Sequence, residues 1–94
     1  SGATSAALIA QRAAIASERE DWEQSRSLLL QIKTLDASEW RNQAPLFTYV
    51  TAMLAVQATA KGDDEAAVRF RKESLEAAPN DVDAKVNLAH GHYR

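Results

Sequence analysis

The sequence predicts an all-α fold, built from antiparallel helix-turn-helix units stacked side by side as an α-solenoid. Three observations predict it. Ala occupies 19 of the 94 positions and Gly and Pro together only five, a bias that favours helix throughout. Apolar residues recur at three- and four-residue spacing, and no stretch alternates β-branched or aromatic residues with polar ones. Gly62-Asp63-Asp64 and Pro79-Asn80-Asp81 punctuate the second half of the chain, the first as a tight inter-helical turn and the second as a helix stop.

The first helix is expected over residues 3–17, with Leu8, Ile9, Ala13 and Ala16 as its apolar stripe. Glu18, Glu20, Asp21 and Glu23 form an acidic cluster that reads as a solvated turn, in which Asp21 caps the next helix and Glu23 sits favourably near its positive end. That second helix spans 21–35 and buries Trp22, Leu28, Leu29, Ile32 and Leu35. Residues 36–44 are the least regular segment, a short helical turn carrying Trp40. Pro45 suits the first turn of a third helix, which runs through Leu46, Tyr49, Val50, Met53, Leu54 and Val56 to Lys61. Gly62 closes it as a left-handed cap. Asp63 or Asp64 caps the fourth helix, 64–78, which packs through Ala67, Val68, Phe70, Ser74, Leu75 and Ala78. Pro79 stops that helix, and Asn80 or Asp81 opens a fifth that is still running at Arg94. Ser1-Gly2 reads as a cloning remnant and the chain as a piece excised from a longer protein.

Composition narrows the function classes. A net charge of −2 leaves no basic excess to neutralise phosphates, so nucleic acid is not expected as a partner. No apolar run approaches the ~20 residues of a membrane span, and insertion into a membrane is not expected. With no cysteine there is no disulfide framework, no thiolate nucleophile and no thiolate metal site, which fits cytoplasm and periplasm alike. His90 and His92 stand two apart, about 200° around a helix, and cannot chelate one metal together. No phosphate loop, dinucleotide fingerprint or Ser–His–Asp arrangement is present. The expectation is a non-enzyme that holds no cofactor and no metal.

A register connects the elements. Leu54-Ala55 recurs as Leu88-Ala89, 34 residues on. In the other direction Ala13 pairs with Ala55, Asp21 with Asp63, Ser25 with Ala67, Leu28 with Phe70 and Ile32 with Ser74, each 42 residues apart. The difference, eight residues, falls between Leu35 and Pro45. The small residues at the crossings, Ala55 and Ala67, let the helices approach closely.

This pattern resembles the tetratricopeptide repeat, whose units have a 34-residue helix-turn-helix period. With Thr48 as the first residue of a unit, Leu54-Ala55, Gly62-Asp63, Ala67, Ser74 and Pro79-Asn80 fall at the family's spacing, and Val86-Asn87-Leu88-Ala89 looks like the start of the next unit. The resemblance covers nearly the whole chain: a divergent repeat over about 6–44 with an insert near 36–44, a second over about 45–81, and the leading helix of a third over 82–94. It departs at Thr51, where the family often has Trp, and at Arg71, where it often has an aromatic that neighbouring Phe70 can replace. Trp22 stands where the family often places a core Tyr.

The resemblance implies a protein–protein interaction scaffold whose first helices line a concave face. The family's contact positions fall on Ala7, Ala10, Ala14 and Ser17, then on Tyr49, Ala52, Val56 and Thr59, then on Asp83, Val86, His90 and Tyr93. Such a groove suits a partner helix or an extended peptide. Ala10 and Ala14 stand where chaperone-tail receptors of the family carry their first Lys and Asn, which argues against that subset. Trp40, in the insert, either covers the core or makes a partner contact. The alternative reading is a structural spacer in a longer array, resembling helical scaffolds of bacterial envelope polysaccharide-export machines, with self-association through exposed repeat ends. Because about three repeats are the usual minimum, the piece is expected to be marginally stable alone or to self-associate.

Overall fold

Every helix after the first begins where an Asp side chain serves its free N–H groups, and each ends where the backbone turns left-handed or extended. The computed structural model describes residues 2–78, with side chains from Ser5 on; the expected fifth helix, with Asp83, Val86, His90, His92 and Tyr93, lies outside the described residues. Within them are four helices and no strand: α1 (Gly2–Glu18), α2 (Trp22–Leu35), α3 (Ala37–Ala60) and α4 (Asp64–Ala77). Asp21 caps α2 by accepting from the Gln24 N–H, and Asp63 caps α4 by accepting from the Ala66 N–H.

The two turns are built alike. In the first, Arg19 N–H donates to the Ile15 carbonyl, Glu20 to Ser17 and Asp21 to Ala16. In the second, Lys61 donates to Gln57, Gly62 to Thr59 and Asp63 to Ala58, each bond 42 residues after its counterpart. The residue that must turn left-handed is Glu20 at φ 60° in one and Gly62 at φ 80° in the other. The correspondence extends to both ends of the second helices: α2 and α4 are each 14 residues long, and each is closed by an N–H bonded to the carbonyl four back, Asp36 to Ile32 and Ala78 to Ser74. The described residues are therefore one hairpin used twice.

Residues 36–44 correct the sequence expectation. They are not irregular, and the third helix does not start at Pro45: residues 37–44 are the first two turns of α3, a continuous helix of 24 residues with Pro45 inside it. Asp36 makes this possible. It ends α2 and caps α3 at once, its carboxylate accepting from Ser38 N–H at 2.9 Å and Glu39 N–H at 3.1 Å. Gln43 then bonds Glu39 across one turn at 2.8 Å. Trp40 sets its ring edge-on to Phe47, centroids 5.1 Å apart, under the Lys33 ammonium. Pro45 brings no N–H for the Arg41 carbonyl, but both residues are exposed, so water can take that acceptor.

The core is one cluster of Ala6, Ala10, Ala13, Trp22, Leu28, Leu29, Ile32, Phe47, Val50 and Leu54, continued at the far end by Ala58, Ala66 and Ala67. Helices pack mainly on their chain neighbours, α1 on α2, α2 on α3 and α3 on α4, with a lighter contact between α1 and α3. Ala55 and Ala67 are both buried, as close crossing requires. Four residues expected inside are exposed: Leu8, Leu35, Val68 and Leu75. Among the described residues, Leu8 on α1 and Val68 and Leu75 on α4 lie on the outer helices, each packed on one chain neighbour in place of two. Leu35 is the last residue of α2, beyond its final packed turn. Ala6 and Ala10 replace Leu8 in the interior, because α1 has to approach two helices and only Ala lets it do so.

The two buried polar residues among those described are satisfied locally. Ser25 donates to the Ala13 carbonyl at 3.0 Å and pairs with the Ser17 hydroxyl at 2.8 Å. Thr51, in the place where an aromatic was expected from the resemblance, donates to the Phe47 carbonyl at 2.8 Å. Ser74 ties α4 to α3 through the Thr48 carbonyl, also at 2.8 Å.

Candidate functional site

Of the expected contact residues, Tyr49, Ala52, Val56 and Thr59 are all exposed on α3, at three-, four- and three-residue steps that keep them on one face. Tyr49 is 54% and Val56 60% exposed, large apolar surfaces to leave in water. Tyr49 is not loose: its ring stands edge-on to buried Trp22 at 5.6 Å between centroids, 80° between planes. Thr59 is already engaged, donating to the Ala55 carbonyl and accepting from Arg71 at 3.2 Å.

On α1, Ala7 and Ala14 are exposed. Ala10 and Ser17 are not open for contact: Ala10 is buried in the core shared with α3, and Ser17 pairs with Ser25. The 42-residue register makes sense of this. Ala7 corresponds to Tyr49 and Ala14 to Val56, so the same two positions of each hairpin are open, small in the first and large in the second. No charged group belongs to this row; its chemistry is apolar surface with one phenol.

Trp40 is half-buried against Phe47 and Lys33, covering core. It also lines a second feature, a shallow groove of about 250 Å³ between α2, α3 and α4. There Arg26 spans from α2 to α4 and grips Glu73 with two bonds, Nε to Oε1 at 2.8 Å and Nη2 to Oε2 at 2.7 Å. The guanidinium lies 5.6 Å from the Phe70 ring centre, with Arg69 5.3 Å from the same ring. The Glu73 hydrogen bond, more than the opposing burial, raises the Arg26 pKa. This groove was not anticipated from the sequence. Arg26 and Glu73 are 47 residues apart, and only placing the hairpins side by side brings them together.

A third hollow, about 350 Å³, sits beside the α1–α2 turn among Arg12, Ile15, Ala16, Arg19, Asp21 and Gln24. The acidic cluster Glu18, Glu20, Asp21 and Glu23 is exposed at that turn, with Asp21 acting as the cap. Among the described residues no three metal-ligating side chains converge, and no helix is long and apolar enough to cross a membrane. No protein-family model, no curated protein and no solved structure matches the chain.

Proposed function

We propose that the chain is a non-catalytic protein–protein interaction scaffold of tetratricopeptide type, holding a partner helix or extended peptide along the face shared by α1 and α3. The observation that carries the reading is the open row Ala7, Ala14, Tyr49 and Val56: equivalent positions of two equivalent hairpins, exposed in both, and filled in the second by large apolar side chains. Exposed apolar residues in register mark interaction surfaces more often than scattered ones do. Trp22 holds Tyr49 in place, which lowers the ordering cost of binding. The small residues beside it leave room for a helix to lie close. An uncharged row favours a partner segment with apolar anchors at helical or alternate spacing over an anionic tail.

The test is capture of a partner from the source cells by the immobilised chain, followed by the variants Tyr49→Ala and Val56→Ala. Both residues are exposed, so helicity by circular dichroism should stay unchanged. Each substitution should weaken capture by about 1–2 kcal/mol, roughly ten-fold, as for an apolar hot spot. Capture that survives the double change would remove the assignment of this face.

A second reading is a structural spacer or self-association segment in a longer array. The apolar residues at the two outer edges, Leu8 on α1 and Val68 and Leu75 on α4, favour it. Sedimentation velocity separates the two: a spacer that self-associates shows a sedimentation coefficient rising with concentration, and Tyr49→Ala leaves that rise unchanged.

A further inference from the structure

One face of α1 is charged where its counterpart in the second hairpin is not. Leu8, Arg12, Ile15 and Arg19 follow one another at four-, three- and four-residue steps, which sets them in a row on one side of the helix. All four are exposed, Leu8 at 57% and Ile15 at 48%. The row lies about 120° around the helix from Ala7 and Ala14, so it is separate from the face shared with α3. The same positions 42 residues on are Val50, Leu54, Gln57 and Lys61, of which Val50 and Leu54 are buried in the cluster shared by the two hairpins. The first hairpin therefore carries a guanidinium where the second buries a leucine, and an exposed isoleucine where the second exposes a glutamine. The row is not a copy of the surface on which the hairpins stack, because a stacked neighbour would have to bury Arg12.

The row borders the hollow of about 350 Å³, whose lining is Arg12, Ile15, Ala16 and Arg19 from α1 with Asp21 and Gln24 from the turn and α2. Asp21 is engaged there as the cap, accepting from the Gln24 N–H at 3.3 Å. Arg12 and Arg19 are seven residues apart, about 10.5 Å along the helix axis. Among the described residues neither has an ion-pair partner, the pair found there being Arg26–Glu73. The two cations are unequal. Arg19 stands next to Glu18, Glu20 and Asp21 in sequence, whereas no acidic residue lies within four positions of Arg12.

We propose that this hollow and row bind an acidic amphipathic helix of a partner protein. Two carboxylates seven residues apart on that helix have the same two-turn separation as Arg12 and Arg19, and each guanidinium fork can hold a carboxylate with two bonds. An apolar side chain midway between them rests on Ile15, and Arg12, remote from the acidic turn, is the stronger anchor. Charge chooses this occupant over a second copy stacked through its outer helix. On the face of α4 that bears Val68 and Leu75 stand Arg71 and Lys72, which would meet Arg12 and Arg19 with like charge. The proposal is independent of whether the α1–α3 face holds a partner, since it uses neither Tyr49 nor Val56.

The probe is an alanine-based helical peptide with two glutamates seven residues apart and a leucine midway, titrated into the isotopically labelled 94-residue chain and followed by amide NMR shifts. Saturable shifts confined to α1 and the first turn of α2 are expected, and a peptide with lysine in place of both glutamates should not bind. Arg12→Gln should weaken binding about five-fold, the upper end for a partly exposed ion pair, and Arg19→Gln about two-fold. Lys61→Gln, which removes the cation at the position equivalent to Arg19, should leave it unchanged. All three residues are exposed, so the amide spectrum of each free variant should match the parent away from the substitution. No shift at peptide concentrations up to about 1 mM, the weakest affinity worth calling a site, would overturn the proposal. So would equal binding of the lysine peptide, shifts centred on α3, or an Arg12→Gln variant that binds as the parent does. A sedimentation coefficient that rises with concentration in the absence of peptide, and that Arg12→Gln makes constant, would also overturn it by giving this face to a second copy.

Discussion

Glu20 and Gly62 occupy the same place in the two turns, and that place costs them different amounts. Both are left-handed, at φ 60° and 80°. For Gly this is free, while for Glu it costs about 1 kcal/mol through crowding of Cβ. Glu20→Gly should therefore stabilise the chain by about 0.5–1 kcal/mol, after allowance for the extra freedom Gly has in the unfolded state. Gly62→Ala should destabilise it by about 1 kcal/mol, although a Cβ there meets no atom within 4 Å; the penalty lies in the backbone alone. Urea unfolding of both variants checks the pair, and a neutral Gly62→Ala would mean the turn can relax to another conformation. Arg26 and Glu73 give a second residue-scale prediction. The side chains are 30% and 24% exposed, so solvent screens the pair, and a double-mutant cycle should return about 0.5–1 kcal/mol despite the two-bond geometry. Arg26→Lys should lose most of it, since an ammonium cannot match both carboxylate oxygens. The raised Arg26 pKa places its contribution below the ordinary guanidinium range and removes it only as pH climbs past the raised value, so on the Arg side the coupling is constant across neutral pH.

At the scale of the element, α3 separates what could be read from what could not. The 42-residue offset was legible in Ala13/Ala55, Asp21/Asp63 and Ser25/Ala67, and the hairpin turns were legible in their Asp caps. That eight residues were extra followed from the same arithmetic. Their conformation did not follow, because Pro45 carries two opposite meanings: a first-turn residue that starts a helix, or an interior residue that a helix tolerates. The choice was made by side-chain contacts that a periodicity does not show, Trp40 on Phe47 and Lys33, together with the Asp36 carboxylate that holds two N–H groups. The groove around Arg26 was illegible for the same reason, and the exposure of Leu8, Val68 and Leu75 because periodicity marks an apolar stripe without saying how many neighbours it has. The helix assignment is testable. Within a continuous α3, Pro45→Ala restores the bond to the Arg41 carbonyl and should stabilise by on the order of 1–3 kcal/mol, with a gain in helical ellipticity. Were Pro45 the start of the helix, the same change would be neutral or slightly unfavourable. Asp36→Ala should cost about 1 kcal/mol by uncapping α3, measured in the same way.

At the scale of the molecule, the order of contacts matters more than their sum. Each described helix rests on the next in the chain, and the two hairpins share one junction, where Ala10, Trp22 and Leu29 belong to the same buried cluster as Phe47 and Val50. Stability in such an array is close to the sum of each unit's own term and the junction term. The units are unequal. The first hairpin has Leu28, Leu29 and Ile32 in its interior, whereas the far end of the second closes only on Ala58, Ala66 and Ala67 with half-buried Phe70. At about 25 cal/mol per Å² of apolar surface, Ala contacts contribute much less than Leu and Ile contacts do. The second hairpin therefore depends on the junction for its folding, and α4, which closes on alanines at its far end, should open first. Native-state hydrogen exchange is expected to show amides of α4 opening at lower free energy than those of α2. Val50→Ala, which removes two methyl groups from a fully buried site, should cost about 2 kcal/mol and widen that gap, because it weakens the junction and spares the interior of the first hairpin. If α2 and α4 open at one common free energy before and after the change, the four helices form a single cooperative core, and the description as a repeated hairpin applies to their geometry but not to their energetics.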